Sequence, residues 1–343
     1  MGAMLLATNH QPRIALPPPP PASWAMLQPP RSIHVMAAVI TDPRGRVLLA
    51  RRGDGRDLAG LWEFPGGKRE PGESSEAALV RELQEELGIT VQVGPPIMQV
   101  PQLYPDKRLR LDVRRVTAWQ GIAHGREDQA LAWVVPEKLV RYAMPPADRP
   151  VVAALLQPGL YLVTPSPQGD GSPWLAQLAR ALKSGITRVQ LRAPDADPVQ
   201  WRELAAQAVR LCRKAGAQVL VNGDAALADA LGAGLHLRAR QLHGFEARHA
   251  RPQLLAASCH DAADLAAAQA IGCDFTVLGP VLPTSSHPGA QTLGWDGFER
   301  LREHVSLPIY AIGGQHPEQL AEARSHGAQG IAAITSLWPT PTP

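Results

Sequence analysis

Apolar positions follow two different rhythms along this chain. From Ser32, the run IHVMAAVITDPRGRVLLARR sets two apolar stretches around Asp-Pro-Arg-Gly, which predicts a hairpin. The pattern then predicts a helix over 74–87, closed by Gly88 as a C-cap. Short strands are expected around 97–100, 109–119 and 132–135, followed by a closing helix over 147–156. Strands outnumber helices and the connections read as antiparallel, so this half is expected to be α+β.

The second half alternates. LYLVT, RVQLR, QVLVNG, GLHL, LLAAS, FTVLGP, IYAIGG and GIAAIT are apolar throughout and mostly separated by alanine-rich stretches of helical spacing. Strands apolar on both faces with helical connections predict a parallel sheet closed as a (β/α)8, or TIM, barrel. The ending SLWPTPTP leaves no room for a full eighth helix. The expected domains are 32–157 and 158–338, joined by the short link LLQPGLY, with tails at 1–31 and 339–343. The first tail contains IALPPPPPASWAMLQPPRS, which suits neither a helix nor an interior strand and is expected to be disordered. A polyproline ligand for a partner is the alternative, and Met26 and Met36 are alternative starts nearer the first strand.

Bulk numbers exclude several classes. With 343 residues the chain exceeds one ordinary core, in keeping with two domains. Hydrophobic residues make up 45% and charged residues 19%, and no apolar run approaches a membrane span, so a cytoplasmic protein without a membrane partner is expected. A net charge of +3, scattered along the chain, gives no reason to expect direct nucleic-acid binding. Cys212, Cys259 and Cys273 form no C-x-x-C pair, which suits reduced, buried thiols.

Charge crowding marks the candidate chemistry. Within GGKREPGESSEAALVRELQEELGI, residues 66–89, Glu82, Glu85 and Glu86 occupy little more than one turn of the predicted helix. Like charges at that spacing cost a helix roughly a few tenths of a kcal/mol per pair. A solvated acidic face is one reading. The other is a divalent cation held by hard oxygen donors, with the Gly66-Gly67 loop letting backbone come close to it. The segment fits G-x5-E-x7-R-E-U-x-E-E-x-G-U, U being apolar, at Gly67, Glu73, Arg81, Glu82, Leu83, Glu85, Glu86, Gly88 and Ile89.

With RR at 51–52, LWEFPGGK at 61–68 and MPPADRP at 144–150, these residues make 32–157 resemble the MutT-type Nudix hydrolases, the 8-oxo-dGTP diphosphatases. The resemblance implies Mg²⁺, or Mn²⁺ in its place, held by the Gly66 carbonyl, Glu82, Glu85, Glu86 and Glu127. Glu82 or Glu127 would be the base that takes a proton from the attacking water. For Glu127 a surface role stays open, and Glu73 and Arg81 read as a structural ion pair. Arg52 and Lys107 either neutralise phosphate charge or are merely solvated. Asp148 stands where MutT-type enzymes carry an asparagine that reads the oxidised base. An amide donates and accepts whereas an ionised carboxylate only accepts, so the specificity is in question. The alternative for Asp148 is a cap on the closing helix. The implied reaction releases a nucleoside monophosphate and diphosphate, in sanitation of the nucleotide pool and mutation avoidance.

The second half, through GLYLVT, VQLR, VLVNG, GLHL, VLGPVLPTSSHPGAQTLG and YAIGG, resembles the thiamine phosphate synthase and TenI family. It departs from the synthase pattern at several positions. Ala193 and Pro194 follow Arg192 where a lysine is expected, and Gly223 follows Asn222 where an aspartate is expected. Arg240 stands for a second metal-binding aspartate, and His287 for the lysine of a TPTK loop. Asp224 is the one nearby carboxylate that could substitute. The barrel is therefore expected to be degenerate, retaining a phosphate cup from Gly313, Gly314, Thr335 and Ser336 for a phosphorylated small ligand; glycines that only permit tight packing are the alternative. Two further readings stay open: a bifunctional thiamine-pathway protein whose first half cleaves a thiamine-related diphosphate, and a barrel that regulates the hydrolase or forms oligomers.

Overall fold

The computed structural model of the chain describes residues 31–245, 253–284 and 289–340; the Pro-rich tail, His287 and residues 341–343 lie outside them. The first half consists of β1 (Arg31–Val39), β2 (Val47–Arg51), β3 (Trp62–Glu63), α1 (Ser75–Leu87), β4 (Thr90–Leu103), β5 (Lys107–Gln120), β6 (Leu131–Val134) and α2 (Arg149–Leu156). Two three-stranded sheets result, ordered β1-β5-β4 and β3-β2-β6. Alternation along β1 decides the layers. Met36, Ala38 and Ile40 pack with Leu79, Leu83 and Leu87 of α1, whereas Ala37 and Val39 pack with Val151 and Val152 of α2. A sheet with a helix on each face follows.

The expected hairpin is only a corner. Thr41 bridges Val47 in antiparallel sense, but β1 and β2 then diverge into different sheets. β1 instead pairs in parallel with β5, from Arg31↔Lys107 to Val39↔Arg115, so the connections are not all antiparallel. The strands expected to be short around 97–100 and 109–119 are a 14-residue antiparallel pair, β4 and β5, with register shifts between Gln92 and Met98. Pro95 and Pro96, which break the apolar pattern, sit at this irregularity, where a missing N–H costs least.

The second half is β7 (Leu160–Val163), α3 (Ser172–Lys183), β8 (Arg188–Leu191), α4 (Pro198–Lys214), β9 (Gln218–Asn222), α5 (Ala225–Leu231), β10 (Gly234–Leu237), α6 (Ala239–Leu242), β11 (Leu255–Cys259), α7 (Ala262–Ala270), β12 (Phe275–Leu278), α8 (Gly294–Arg302), β13 (Ile309–Ile312), α9 (Leu320–Ser325) and β14 (Gly330–Ala333). All eight apolar segments are strands of one closed parallel barrel, and among the described residues a 3-10 turn, Thr335–Leu337, follows the last. Tyr161, Leu220, Phe275, Val277 and Tyr310 fill its interior. Arg188 is buried among them, its guanidinium 4.3 Å from the Phe275 ring and donating to Gln157, Gln218 and Tyr310. The three cysteines are buried and form no disulfide, and no helix among the described residues is long and apolar enough to cross a membrane.

The halves are hydrogen-bonded to each other. The Glu303 carbonyl accepts from Leu103 N at 2.8 Å and Gln102 Nε2 at 3.0 Å, and its carboxylate from Arg108 at 2.8 and 3.0 Å. Arg110 reaches Glu299 at 2.7 Å, and Gln329 donates to the α2 carbonyl of Ala153 at 3.1 Å.

Candidate functional site

Helix α1 is built to present carboxylates. Ser74 caps its start, accepting from Ala77 N at 3.1 Å, and Gly88 ends it in the left-handed region at φ 71°. Leu79, Leu83 and Leu87, four residues apart, anchor one face and turn Glu82 and Glu85 outward, while Glu86 is buried. The Gly66-Gly67 loop lies against β1, with Ala38 N donating to the Pro65 carbonyl and Met36 N to that of Gly67, each at 2.8 Å. Along an extended segment alternate carbonyls face opposite ways, so that of Gly66 is turned away from β1. Gly66 is sterically required, since a Cβ there would lie 2.1 Å from the Met36 carbonyl oxygen; at Gly67 a Cβ would lie 2.1 Å from the Glu82 carboxylate and displace that side chain.

Two arginines distribute the charge. Arg81 meets Glu73 at 3.0 Å, Glu82 at 2.9 Å and Glu85 at 3.2 Å, and donates to the Lys68 carbonyl at 3.0 Å. Arg56 pairs with Glu127 and lies 3.6 Å from Glu86. Glu127 comes to α1 because its loop satisfies the helix's terminal carbonyls: Arg126 N and Gln129 Nε2 donate to the Glu86 carbonyl at 2.9 and 3.1 Å. Burial pushes the Glu86 carboxyl up to about 7, and the charges of Glu127 and Glu63 add to the push.

Asp148, Arg52 and Lys107 come together around Tyr104. Asp148 is 5% exposed and accepts from Phe64 N at 3.2 Å. It precedes α2 but makes no side-chain cap, so the capping role is not what holds it. Burial, with the Glu63 charge behind it, pushes its carboxyl up to about 8. The side chain is therefore a neutral acid near pH 7, able to donate as well as accept, and the comparison with an ionised carboxylate does not apply. Arg52 is already paired with Glu63 and bonded to the Asp57 carbonyl at 2.7 Å. Lys107 pairs with Asp57 and lies 5.7 Å from the Tyr104 ring centroid.

At the C-terminal ends of the barrel strands lies a cavity of about 870 Å³, whose lining includes Gly313, Gly314, Thr335 and Ser336. The cup's two loops are tied: Ser336 Oγ donates to the Gln315 carbonyl at 2.7 Å and Gln315 Nε2 to that of Gly313 at 3.0 Å. A Cβ on Gly313 would lie 2.7 Å from Pro280, and one on Gly314 2.6 Å from the Pro283 carbonyl oxygen. Tight packing alone therefore requires both glycines. Asp224 accepts from Leu227 N at 2.9 Å as the cap of α5 and is not among the residues that line the cavity.

Comparison with known proteins agrees with both halves. The family profile described as thiamine monophosphate synthase matches residues 160–337, and the NUDIX domain profile matches residues 36–154. A thiamine-phosphate synthase of Thioalkalivibrio sulfidiphilus is 37% identical over 190 residues, 54% of this chain and 90% of that protein. A CTP pyrophosphohydrolase of Escherichia coli is 42% identical over 126 residues, 37% of this chain and 93% of that protein. The chain belongs to the thiamine monophosphate synthase family and carries an N-terminal Nudix domain. Among solved structures, a thiamine phosphate pyrophosphorylase from Pyrococcus furiosus is 26% identical, covering 51% of this chain and 85% of that one, with a TM-score of 0.43.

Nudix hydrolases generally use divalent metals, and the donor chemistry of this Nudix domain fits one. Glu82, Glu85, Glu86 and Glu127 are hard oxygen donors, their mutual repulsion is visible at Glu86, and the Gly67 cradle is one a Cβ would fill. Among the described residues no three acidic, His or Cys side chains converge as a finished ligand set, and Arg81 and Arg56 are paired with these carboxylates. The synthase-family barrel is the opposite case. Its cavity lining includes Arg192, Arg238 and Arg240 and, among the described residues, no Asp or Glu, so the carboxylate donors that Mg²⁺ favours are missing there. Arg56, Glu63, Tyr104 and Arg238 were not singled out from sequence. The only sequence signal among them was Glu63, a charge set between Trp62 and Phe64 in a short strand.

Proposed function

We propose that the Nudix domain hydrolyses nucleoside triphosphates, oxidised ones such as 8-oxo-dGTP included, to a monophosphate and diphosphate with Mg²⁺. The observation that carries this reading is the carboxylate set on α1, joined by Glu127 and backed by the Gly66-Gly67 loop. The Gly66 carbonyl, Glu82, Glu85, Glu86 and Glu127 would hold the cation, with Mn²⁺ able to replace Mg²⁺. Once bound it supplies Lewis acidity toward phosphate oxygens. Glu127, exposed and paired with the exposed Arg56, and Glu82, pressed against Gly67, are the two candidates to take the proton of the attacking water. Asp148, with Arg52 and Lys107 around Tyr104, forms the base and phosphate contacts.

A neutral carboxyl offers an O–H and a carbonyl side by side. That pair can meet the carbonyl and N–H of an oxidised guanine, and equally the ring nitrogen and amino group of cytosine. The similarity to a CTP pyrophosphohydrolase favours the second substrate, and the synthase-family barrel favours a third, a thiamine-related diphosphate. In the barrel the reading is a phosphorylated ligand at the Gly313-Gly314 and Thr335-Ser336 rim without synthase turnover. Turnover of the whole protein with Mg²⁺ on 8-oxo-dGTP, dGTP, CTP and thiamine diphosphate tests the assignment. The largest kcat/KM is expected for a nucleoside triphosphate, and hydrolysis of thiamine diphosphate alone would overturn it.

A further inference from the structure

Arg238 occupies the space from which a barrel-mouth carboxylate would have to reach. An ideal Cβ on Gly223 lies 2.4 Å from Arg238 Nε and 3.0 Å from its Cζ, and Gly223 has φ 69°, a backbone setting that side chains rarely adopt. The guanidinium is fastened there: Nε donates to Asn222 Oδ1 at 3.1 Å. Gln241 braces the same corner, accepting from Arg238 N at 2.9 Å and donating to the Gly223 carbonyl at 3.0 Å. Behind Asn222 a hydrogen-bonded chain runs into the barrel, through Gln190 at 3.3 Å, Tyr161 at 3.3 Å, His236 at 3.1 Å and Ser258 at 2.9 Å. Every member of that chain is neutral near pH 7, because burial pushes His236 down to about 3. The charge of Arg238 is therefore not offset from below. Arg192 and Arg240 line the same cavity and, like Arg238, have no carboxylate partner there among the described residues.

We propose that the barrel mouth binds a small phosphorylated ligand with two anionic groups and needs no divalent cation to do so. One group sits at the Gly313-Gly314 and Thr335-Ser336 rim, and Arg238, with Arg192 and Arg240, takes the other. A divalent cation bridges an anion to carboxylates; here the fixed guanidinium supplies the positive charge directly, and a cluster of arginines repels a metal ion. A guanidinium also meets phosphate oxygens in a paired geometry that a metal-free lysine or backbone cannot match. The inference rests on the phosphate reading of the rim and adds how the ligand's second charge is met.

Calorimetric titration of the full chain with inorganic diphosphate separates the possibilities. In EDTA the Nudix glutamates lack the cation through which they would hold the anion, and the arginine variants below separate barrel heat from any at Arg52 and Lys107. For titration in Mg²⁺, the Nudix site is silenced by E85Q and E86Q together. Saturable one-site binding is expected in EDTA, with Kd within about threefold of that in Mg²⁺. R238A and R240A should each weaken it by about tenfold or more, with R238K intermediate. Circular dichroism and Nudix turnover equal to the parent identify variants that fold. Binding that requires Mg²⁺ overturns the metal-free site and leaves the phosphate reading intact. No binding in either condition overturns both, and parent-like binding by folded R238A and R240A overturns the role of the arginines.

Discussion

At Asp148 the chemistry turns on one proton. Its carboxyl lies near 8 in the folded protein, above the ordinary carboxylate range, because burial and Glu63 oppose its ionisation. A folded pKa raised in this way gives stability that is complete at acid pH and is lost as pH rises toward 8. Asp148→Asn keeps the shape and stays neutral. Its melting temperature should match the parent near pH 4 and exceed it by a widening margin up to about pH 8, as followed by circular dichroism. A margin that does not change with pH would remove the buried neutral acid. In competing hydrolysis assays near pH 7, Asp148→Asn should preserve the kcat/KM ratio of 8-oxo-dGTP to dGTP, since amide and acid both donate and accept. Asp148→Ala should shift that ratio by about tenfold or more if the side chain reads the base. The carboxylates give a second test at this scale. Glu85→Gln or Glu86→Gln should lower turnover at limiting Mg²⁺ by at least ~10²-fold, and turnover within about twofold of the parent would sink the metal assignment.

Helix α1 and the loop before it behave as one element. Arg81 binds the loop at the Lys68 carbonyl and at Glu73 while holding Glu82 and Glu85, so the glycine loop and the carboxylates keep a common register. Gly67→Ala would push its Cβ into the Glu82 carboxylate, the movable end of a side chain. The expected result is a raised Mg²⁺ requirement for turnover with little loss of melting temperature; an unchanged Mg²⁺ titration would show that Glu82 does not depend on the loop. This element was legible in the sequence because its signals are local: Ser74 as cap, leucines four apart, Gly88 at the end. The first hairpin was misread for the complementary reason. Asp-Pro-Arg-Gly does turn the chain, yet β1 finds its partner in β5, more than sixty residues on, and no local pattern encodes that choice.

Across the whole molecule the link at Pro158 is short, and the contacts it permits are polar and specific. Glu303 is buried while gripping Arg108, Gln102 and the Leu103 N–H of the other half, and Gln329 bonds the end of α2. With the halves so joined, the full chain is expected to melt in one calorimetric transition, and Glu303→Ala to lower it or split it in two. Two resolved transitions in the parent would mean that the seam contributes nothing to cooperativity. The barrel mouth on the same molecule has no Asp or Glu in its lining among the described residues, so the full-length protein should not form thiamine phosphate from the pyrimidine diphosphate and thiazole phosphate. Product formation in that assay would restore the barrel as a synthase.

Sequence alone determined what depends on periodicity and fixed spacing. The eight strands of the barrel, the capped acidic helix and the glycines beside it are set by side chains within a few positions of each other. The departures at Gly223 and around Arg192 were visible only against the synthase pattern that the second half resembles. Tertiary structure alone decided which charges meet. Arg56 reaches Glu127 from 71 residues away, Arg238 fills the space above Gly223, and Glu63 and burial together keep the proton on Asp148. Charge pairing and desolvation depend on distance and exclusion of water, and both are properties of the folded arrangement rather than of the order of residues.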